Sequence, residues 1–321
     1  MKSFPKSFRT PSFLALAVAA ALAGCAATQD AGHSAMNMVK SATGQAQVVR
    51  QDVAPALYEV AYSPSEDVVY AVSAGNPKDP ASGVKSKLFK LDPETLAVKA
   101  EIELPKPGYG LALDDEAHRL YIVDTRGGTL MVFDTTVGQV TSSVTMPPVL
   151  DAQGKPEKIE YREIVVDKAN NRLYLPAMSY HDSKLQVVNL DTLTVERTIP
   201  GFNFGATGIS MDSGAGKLYV SNLMGQLFVV DIGTLAITDR FEVQGDQLLN
   251  LVVDHDNKRL LAVDQGFDRL DVVRKERGGL NYQTRTQGNQ VLALDPSSGK
   301  VLQNIKVGTQ PVAMLLDAPR N

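Results

Sequence analysis

The feature that most constrains the fold is an internal repeat of four short, strand-like segments. The clearest copy reads Tyr109-Gly-Leu-Ala-Leu-Asp, Arg119-Leu-Tyr-Ile-Val, Thr129-Leu-Met-Val-Phe-Asp and Gln139-Val-Thr-Ser-Ser-Val. Each segment is rich in leucine and β-branched residues, and Asp, Asn, Gly or Pro separates it from the next. The marker residue of the second segment recurs at spacings of 51, 53, 45 and 42 residues, at Tyr70, Tyr121, Tyr174, Tyr219 and Leu261. A four-stranded unit of roughly 40–50 residues is typical of a β-propeller blade.

The sequence contains five complete copies and the beginning of another. The complete copies cover residues 58–104, 109–144, 162–199, 207–243 and 250–307. Residues 311–317 again match a first segment, so we expect Val312 to Leu316 to form the innermost strand of a sixth blade. Residues 47–52 could supply an outer strand to close the ring. The repeat therefore predicts an all-β fold: a β-propeller of four-stranded blades, with five complete blades plus part of a sixth.

The N-terminus has the pattern of a secretory signal. It carries Lys2, Lys6 and Arg9 without an acidic residue, and an uninterrupted apolar run follows over residues 13–23. That run is short for a transmembrane helix, which needs about 20 apolar residues. It ends in Leu-Ala-Gly-Cys25, which resembles the bacterial lipobox, where the cysteine is acylated and becomes the first residue after cleavage. The alternative is an ordinary signal peptide in which Cys25 is incidental.

These patterns divide the chain into three parts. Residues 1–24 are predicted to be a lipoprotein signal peptide, residues 25–45 a flexible tether without a strand pattern, and residues 46–321 the propeller domain. Acyl chains on Cys25 would hold the protein on a membrane, since two chains bind stably where one binds marginally. Ala26 follows the cysteine, and by resemblance to lipoproteins of Gram-negative bacteria this predicts the periplasmic face of the outer membrane.

Composition narrows the classes of function. Removing the signal peptide takes Lys2, Lys6 and Arg9 from the 32 basic residues and leaves 29 against 36 acidic residues, a net charge of −7. Such a charge does not favour nucleic acid as a partner. A single cysteine excludes an internal disulfide and a cysteine-rich metal site. The sequence has neither a Gly-Lys-Ser phosphate loop nor a Gly-x-Ser-x-Gly elbow, and no catalytic residue is assigned.

One segment connects the repeat with a known family. Tyr219-Val-Ser-Asn nearly spells the Tyr-Val-Thr-Asn motif, and Asp134-Thr-Thr-Val-Gly-Gln-Val matches the turn that accompanies it. The chain resembles the YVTN-repeat β-propeller family, and residues 58–63 and 90–96 resemble its YncE-type periplasmic members. The resemblance covers roughly residues 50–321. It implies a seven-bladed ring, so that a chain with five blades is expected to be truncated, and it implies binding of single-stranded DNA.

Loop lengths indicate one working face. In a propeller, the loop between the first and second strands of each blade lies on one face. The loop between the second and third strands lies on the opposite face, as does the loop that leads to the next blade. The first-to-second loops are all tight, whereas the long segments all belong to the other face: residues 74–86, 146–160, 177–184 and 265–289. Long loops often carry function. The alternative is permissive insertion without function.

The long-loop face also receives the starts of the innermost strands. Aligning the repeats places seven candidate ligand-binding residues around the channel mouth: Tyr58, Glu59, Tyr109, Arg162, Glu163, Thr207 and Asn250. No metal site is assigned, although Glu59, Glu163 and Asn250 offer the oxygen ligands that Ca²⁺ accepts. Alternatively, Arg162 pairs with a neighbouring carboxylate and the mouth is simply polar and hydrated.

Two of the long loops add further candidates. His181 could titrate or contact a ligand on the working face. Arg274, Lys275 and Arg277 could contact an anionic polymer, and a mixed-charge surface loop is the alternative.

The sequence thus predicts a lipid-anchored scaffold of the cell envelope, without catalytic activity, for a small ligand or an envelope protein. Single-stranded DNA binding and a metal-dependent, lactonase-like hydrolase are the alternatives. The hydrolase requires Glu59, Glu163 and Asn250 to converge on one ion. No cofactor is predicted, with Ca²⁺ as the open alternative.

Overall fold

The computed structural model describes residues 37–39, 48–76, 78–125, 127–151, 153–266 and 282–316. These residues form β-strands, connecting loops and one short 3-10 helix at Pro80–Ser82, which confirms the predicted all-β class. No helix within them has the length and hydropathy needed to cross a bilayer.

The strands form a small two-stranded sheet followed by five antiparallel blades of a β-propeller. The small sheet contains β1 (Asn37–Val39) and β2 (Val48–Arg50). The first blade contains β3 (Leu57–Ser63), β4 (Val68–Ser73), β5 (Lys87–Leu91) and β6 (Val98–Glu103). The second contains β7 (Leu111–Asp114), β8 (Arg119–Val123), β9 (Thr129–Asp134) and β10 (Gln139–Thr145).

The remaining three blades follow the same order. The third contains β11 (Glu160–Tyr161), β12 (Val165–Asp167), β13 (Arg172–Met178), β14 (Lys184–Asn189) and β15 (Val195–Ile199). The fourth contains β16 (Ala206–Asp212), β17 (Lys217–Asn222), β18 (Gln226–Asp231) and β19 (Ile237–Glu242). The fifth contains β20 (Leu248–Asp254), β21 (Arg259–Asp264), β22 (Gln290–Leu294) and β23 (Val301–Lys306). The third blade has five strands because its inner strand is divided into β11 and β12, which both pair with β13.

Short polar turns explain why each blade folds locally. The five first-to-second turns each end in a residue with a φ of 51–67°: Asp67, His118, Asn171, Gly216 and Lys258. At the third-to-fourth turns an Asp or Asn side chain accepts hydrogen bonds from the backbone N–H groups two or three residues later in the chain. Asp92 Oδ1, for example, accepts from the backbone N–H of Glu94 at 3.1 Å and of Thr95 at 2.9 Å. These side chains replace backbone partners in the turn, which is why Asp and Asn recur there.

The hydrophobic core lies between successive blades. Tyr70 and Leu88 of the first blade pack with Leu120, Ile122 and Phe133 of the second in one buried cluster. Equivalent clusters join the second blade to the third, the third to the fourth and the fourth to the fifth. The repeating tyrosine of the second strand is buried in each of these four clusters, so the sequence repeat marks the contacts between blades.

Two predictions at the ends of the repeat are wrong. Val312 to Leu316 form no strand, and within the described residues no strand pairs with this segment. The predicted outer strand over residues 47–52 is described from residue 48 onward, and that part joins no blade; β2 pairs instead with β1, from Asn37 opposite Arg50 to Val39 opposite Val48. β1 lies inside residues 25–45, for which no strand was predicted, since three residues are too few to show an alternating pattern.

Candidate ligand-binding site at the channel mouth

The innermost strands are irregular where the sequence places the channel-mouth residues. In three blades the pairing register shifts at that point, between Leu57 and Glu59, between Ala206 and Ile209, and between Leu248 and Leu251. A bulge of this kind interrupts the alternation of side chains and re-aims the residue inside it. The side-chain direction at the mouth therefore departs from a regular strand.

The other two blades have the same irregularity in another form. In the third blade, Arg162 and Glu163 lie in the gap between β11 and β12. In the second, Tyr109 and Gly110 both bond to Val123 before β7 begins, through Tyr109 N–H at 2.9 Å and the Gly110 carbonyl at 3.0 Å. All five blades thus break their ladder at the channel mouth.

Glycines in the second and fourth blades let the neighbouring bulges approach closely. A Cβ atom at Gly110 would lie 2.6 Å from the carbonyl oxygen of Arg162. A Cβ atom at Gly208 would lie 2.5 Å from Ser221 Oγ and 3.1 Å from the carbonyl oxygen of Leu249. No side chain fits at either position. At this level of the channel the side chains therefore come from the first, third and fifth blades.

Those three side chains meet. Asn250 Nδ2 donates a hydrogen bond to Glu59 Oε2 at 3.1 Å and lies 3.2 Å from both carboxyl oxygens of Glu163. The Asn250 amide thus contacts both carboxyl groups. The exposed fractions of Glu59, Glu163 and Asn250 are 4%, 5% and 4%. The structure thus brings together the three residues that the sequence analysis identified as oxygen ligands, although 191 positions separate the first from the last.

Burial and mutual repulsion oppose ionisation of this pair. Burial raises the pKa of Glu59 from 4.5 to about 7, although hydrogen bonds from Val60 N–H and Asn250 favour the carboxylate. Burial, followed by the adjacent Glu59 charge, raises the pKa of Glu163 well above its usual value. Two carboxyl groups in contact that share one proton account for both directions.

Arg162 lies beside the pair and is held by other partners. Its Nη1 donates to the Tyr58 hydroxyl at 3.0 Å and its Nη2 to Glu160 Oε2 at 2.7 Å. The Tyr58 ring meets the Tyr109 ring edge-on, with 5.0 Å between the ring centres. Burial raises the pKa of Tyr58 to about 12, so its hydroxyl remains protonated. Arg162 does pair with a neighbouring carboxylate, and it joins Tyr58 to Glu160 at the mouth.

Two polar atoms at the mouth lack a partner. Within the described residues, Asn250 Oδ1 and Arg162 Nε are the buried side-chain nitrogen or oxygen atoms without a hydrogen bond. Such atoms are rare in folded proteins, and each costs about 1–3 kcal/mol when left unpaired. One is an acceptor and the other a donor. Both belong to the predicted site.

The remaining predicted residues lie elsewhere. Thr207 is buried in the wall, where its hydroxyl donates to the Leu248 carbonyl at 2.9 Å. His181 is exposed in its loop, and its backbone N–H donates to Ser179 Oγ at 3.0 Å. Cys25 and the loop candidates Arg274, Lys275 and Arg277 lie outside the described residues.

Contacts between loops support a common face. Lys184 Nζ lies 2.9 Å from Glu157 Oε2, which joins the long loops over residues 146–160 and 177–184. Glu160, which the sequence analysis did not single out, lies at the end of the first of these loops and holds Arg162. Its position two residues before Arg162 was the available signal, because residues i and i+2 of an extended chain point to the same side.

Comparison with known proteins agrees with this architecture. No family model matches the chain. Proteins named uncharacterized protein YncE are similar to it: that of Salmonella typhi is 24% identical over 298 residues, which cover 84% of this chain and 82% of the relative. The protein of that name from Escherichia coli (strain K12) is 24% identical over 241 residues, which cover 73% of this chain and 66% of the relative.

A solved structure extends the comparison to the fold. A chain from the crystal structure of a nidogen/laminin complex superimposes with a TM-score of 0.57 at 15% identity, over 80% of this chain and 84% of that one. At that identity the likeness concerns the fold alone. Together, the five-bladed β-propeller structure and the relatives support a YncE-like propeller family for this chain.

Proposed function

We propose that this protein is a lipid-anchored β-propeller of the bacterial cell envelope that binds a small ligand or a partner protein on its long-loop face. The pair of unpartnered buried atoms at the channel mouth, Asn250 Oδ1 and Arg162 Nε, carries the proposal. A molecule that accepts a hydrogen bond from Arg162 and presents a donor or a positive charge to Asn250 would satisfy both.

The architecture supports binding because the mouth residues are held before any ligand arrives. They come from irregular segments of the innermost strands of three blades whose cores are packed against their neighbours, and the glycines between them leave little freedom. A site that is already ordered loses less conformational entropy when it binds. The long loops around it can supply the wider contact surface that a protein partner needs.

A hydrolase is the second candidate, and the contact between Glu59 and Glu163 favours it. A carboxyl group that keeps its proton beside one that ionises near neutral pH can act as a general acid–base pair. Hydrolysis of a lactone would also need a group that stabilises an oxyanion. Arg162 is the nearby cation, and two of its nitrogens already bind Tyr58 and Glu160. We therefore rank binding above hydrolysis.

One experiment separates the two candidates. Lactones, sugars, amino acids and short peptides are tested for their effect on the thermal unfolding of wild-type protein and of two variants. Arg162→Ala changes the channel mouth. Glu116→Ala is the control, because Glu116 lies in an exposed turn on the opposite face. We expect stabilising compounds to lose their effect in Arg162→Ala and keep it in Glu116→Ala. Lactone turnover that disappears in Glu163→Gln would replace the scaffold with a hydrolase. If no compound depends on Arg162, the channel-mouth site is wrong.

The envelope part of the proposal gives a prediction about anchoring. Cys25→Ser removes the thiol that would carry the acyl chains, so the protein should move from the membrane fraction to the soluble fraction. Metabolic labelling with a fatty acid should mark wild type and the control Thr28→Ser, but not Cys25→Ser. Two results together would show that Cys25 does not anchor the chain: the Cys25→Ser variant stays in the membrane fraction, and the wild type carries no acyl label.

The charge of the mature chain gives a prediction about nucleic acid. We expect no measurable binding of labelled single-stranded DNA at physiological salt, because the net charge is −7 and tryptophan is absent. Fluorescence anisotropy at several salt concentrations measures it. Tight, salt-sensitive binding that disappears when Arg274, Lys275 and Arg277 are all changed to Glu would contradict this expectation and support the DNA alternative.

A further inference from the structure

We propose that the space between the fifth and first blades binds one extended segment of a partner protein. That segment adds a β-strand to residues 312–316 and places a large aromatic or aliphatic side chain in the apolar cavity that these residues line. The inference goes beyond the proposed function, because this site uses neither Arg162 nor Asn250. In strand addition, main-chain hydrogen bonds give affinity, and pockets for alternate side chains give specificity.

The segment over residues 312–316 is held beside the fifth blade but joins no sheet. The Gln310 N–H donates to Asn289 Oδ1 at 2.8 Å, and the Pro311 carbonyl accepts from Gln265 Nε2 at 3.2 Å. In the part of the chain that the structure describes, no backbone group of residues 312–316 bonds to another backbone group. Unpaired N–H and carbonyl groups are the template on which an incoming strand pairs.

An apolar cavity of about 510 Å³ lies between this segment and the first blade. This volume is within the range of ordinary binding pockets. Val312, Ala313 and Leu315 contribute to one wall of the cavity. The facing wall contains apolar side chains of the first blade: Leu57, Val60, Val69, Ala71 and Leu91.

The first blade has the side chains of a blade contact on this side. Its opposite side packs on the second blade through Tyr70. Val69 and Ala71, which alternate with Tyr70 along β4, are only 9% and 1% exposed. Among the described residues, their cluster draws on residues 53–91 alone, whereas each of the other clusters along the ring joins two blades. The cavity therefore continues the series of contacts between blades.

The repeat indicates which side chain of an added strand enters the cavity. In the first four blades the marker tyrosine is buried in the cluster shared with the next blade, and Tyr219 of β17 lies opposite Ser210 of the innermost strand. Alignment of residues 312–317 with residues 207–212 puts Leu315 at the place of Ser210. Opposite residues of an antiparallel pair share one face of the sheet. The marker side chain of an added strand therefore lies beside Leu315, in the cavity.

Exposed apolar side chains concentrate at this end of the fold. Eight large hydrophobic side chains are exposed among the described residues, and four of them lie between positions 302 and 315: Leu302, Ile305, Val307 and Leu315. Exposed apolar side chains that are grouped in this way mark an interaction surface. A partner segment with apolar side chains at alternate positions is suited to cover it.

A peptide copied from the fourth blade tests the site. Its sequence is that of β17 (Lys217–Asn222), Lys-Leu-Tyr-Val-Ser-Asn, which pairs with an innermost strand in its own blade. The fluorescein-labelled peptide, flanked by glycines, is titrated with wild-type protein and followed by fluorescence anisotropy. We expect saturable binding that a peptide of scrambled order does not show. Tyr219→Ala in the peptide removes the side chain that enters the cavity and should weaken binding about tenfold or more.

Two protein variants locate the binding. Leu315 lines the cavity and is 40% exposed, so Leu315→Asp places a charge in the site without changing a buried core. It should weaken peptide binding about tenfold or more, because the charge must lose water when the peptide binds. Val137→Asp is the matched control, since Val137 is 60% exposed in a turn of the second blade. It should leave the affinity unchanged.

Photochemical cross-linking gives the position without any change to the protein. The tyrosine of the peptide is replaced by benzoylphenylalanine, the complex with wild-type protein is irradiated, and the attached residues are identified by mass spectrometry. We expect attachment to Val60, Val69, Leu91 or Leu315, which line the cavity. Attachment confined to residues outside this cavity would overturn the proposal.

Two further results would also overturn it. One is the absence of peptide binding at about 0.5 mM protein, or binding that neither Tyr219→Ala in the peptide nor Leu315→Asp in the protein weakens. The other is self-association of wild-type protein in sedimentation experiments that Leu315→Asp removes. In that case a second copy of this chain, and not a strand from a partner, fills the space between the blades.

Discussion

Glu163→Gln should make the protein more stable than wild type at about pH 8. The reason is that the folded protein holds protons on the carboxyl pair that the unfolded chain releases above its ordinary pKa of 4.5. Because the folded pKa values are raised, the wild-type free energy of unfolding decreases as the pH rises from 4.5 through about 7. Glutamine has nearly the same shape, carries no charge and removes the repulsion on Glu59.

Thermal unfolding over a pH series in chelator measures this effect. The gain in Tm near pH 8 should shrink towards zero at pH 4.5, where the raised pKa values keep both carboxyl groups of folded wild type protonated. Glu116→Gln, in an exposed turn, should stay within about 0.5 kcal/mol of wild type. If Glu163→Gln were less stable than wild type near pH 8, the hydrogen bonds of the carboxylate would outweigh its desolvation, and the shared-proton description would be wrong.

Gly110→Ala should destabilise the protein by about 1–3 kcal/mol. The new Cβ would lie 2.6 Å from the Arg162 carbonyl oxygen and 2.9 Å from Val123 Cγ2, and the first of these is a backbone atom that cannot turn aside. The segment between β11 and β12, which carries Arg162 and Glu163, must then move. The same variant should therefore weaken binding at the channel mouth.

Gly214→Ala is the matched control. A Cβ there would meet only Asp212 Oδ1, at 3.5 Å, an ordinary contact in an exposed turn. Neither glycine has a positive φ, so the comparison isolates steric contact from backbone strain. Chemical denaturation of both variants measures the difference. Equal stability of Gly110→Ala and Gly214→Ala would show that the second and third blades are not in close contact at the mouth.

The blades could be predicted from the sequence because their signals are local. The marker residue of each second strand, a tyrosine in four blades and Leu261 in the fifth, and the Asp or Asn of each third-to-fourth turn act within a few residues of their own position. Every copy repeats them, so one copy supports the interpretation of the next. The same locality explains the errors: β1 was too short to give a pattern, and Val312 to Leu316 have the pattern of a strand although no strand in the described part of the chain pairs with them.

The channel mouth was predictable only in part. Alignment of the repeats placed Glu59, Glu163 and Asn250 at equivalent positions of their strands. It did not predict whether their side chains touch. That these side chains touch depends on bulges in the innermost strands, which break the period-two alternation that makes strand sequences readable. It depends also on Gly110 and Gly208. Because these residues have no side chain, the backbone of the next blade can lie close to them.

The sequence by itself thus determined an all-β propeller, its five blades, their turns and the residues at the start of each innermost strand. Only the tertiary structure decided that two carboxyl groups and one amide meet, that burial raises the pKa of both carboxyl groups, and that Asn250 Oδ1 and Arg162 Nε are left without hydrogen-bond partners among the described residues. The physical reason is distance along the chain. Turn and strand preferences act over a few residues, whereas the burial and repulsion that tune Glu59 and Glu163 arise between blades up to 191 positions apart.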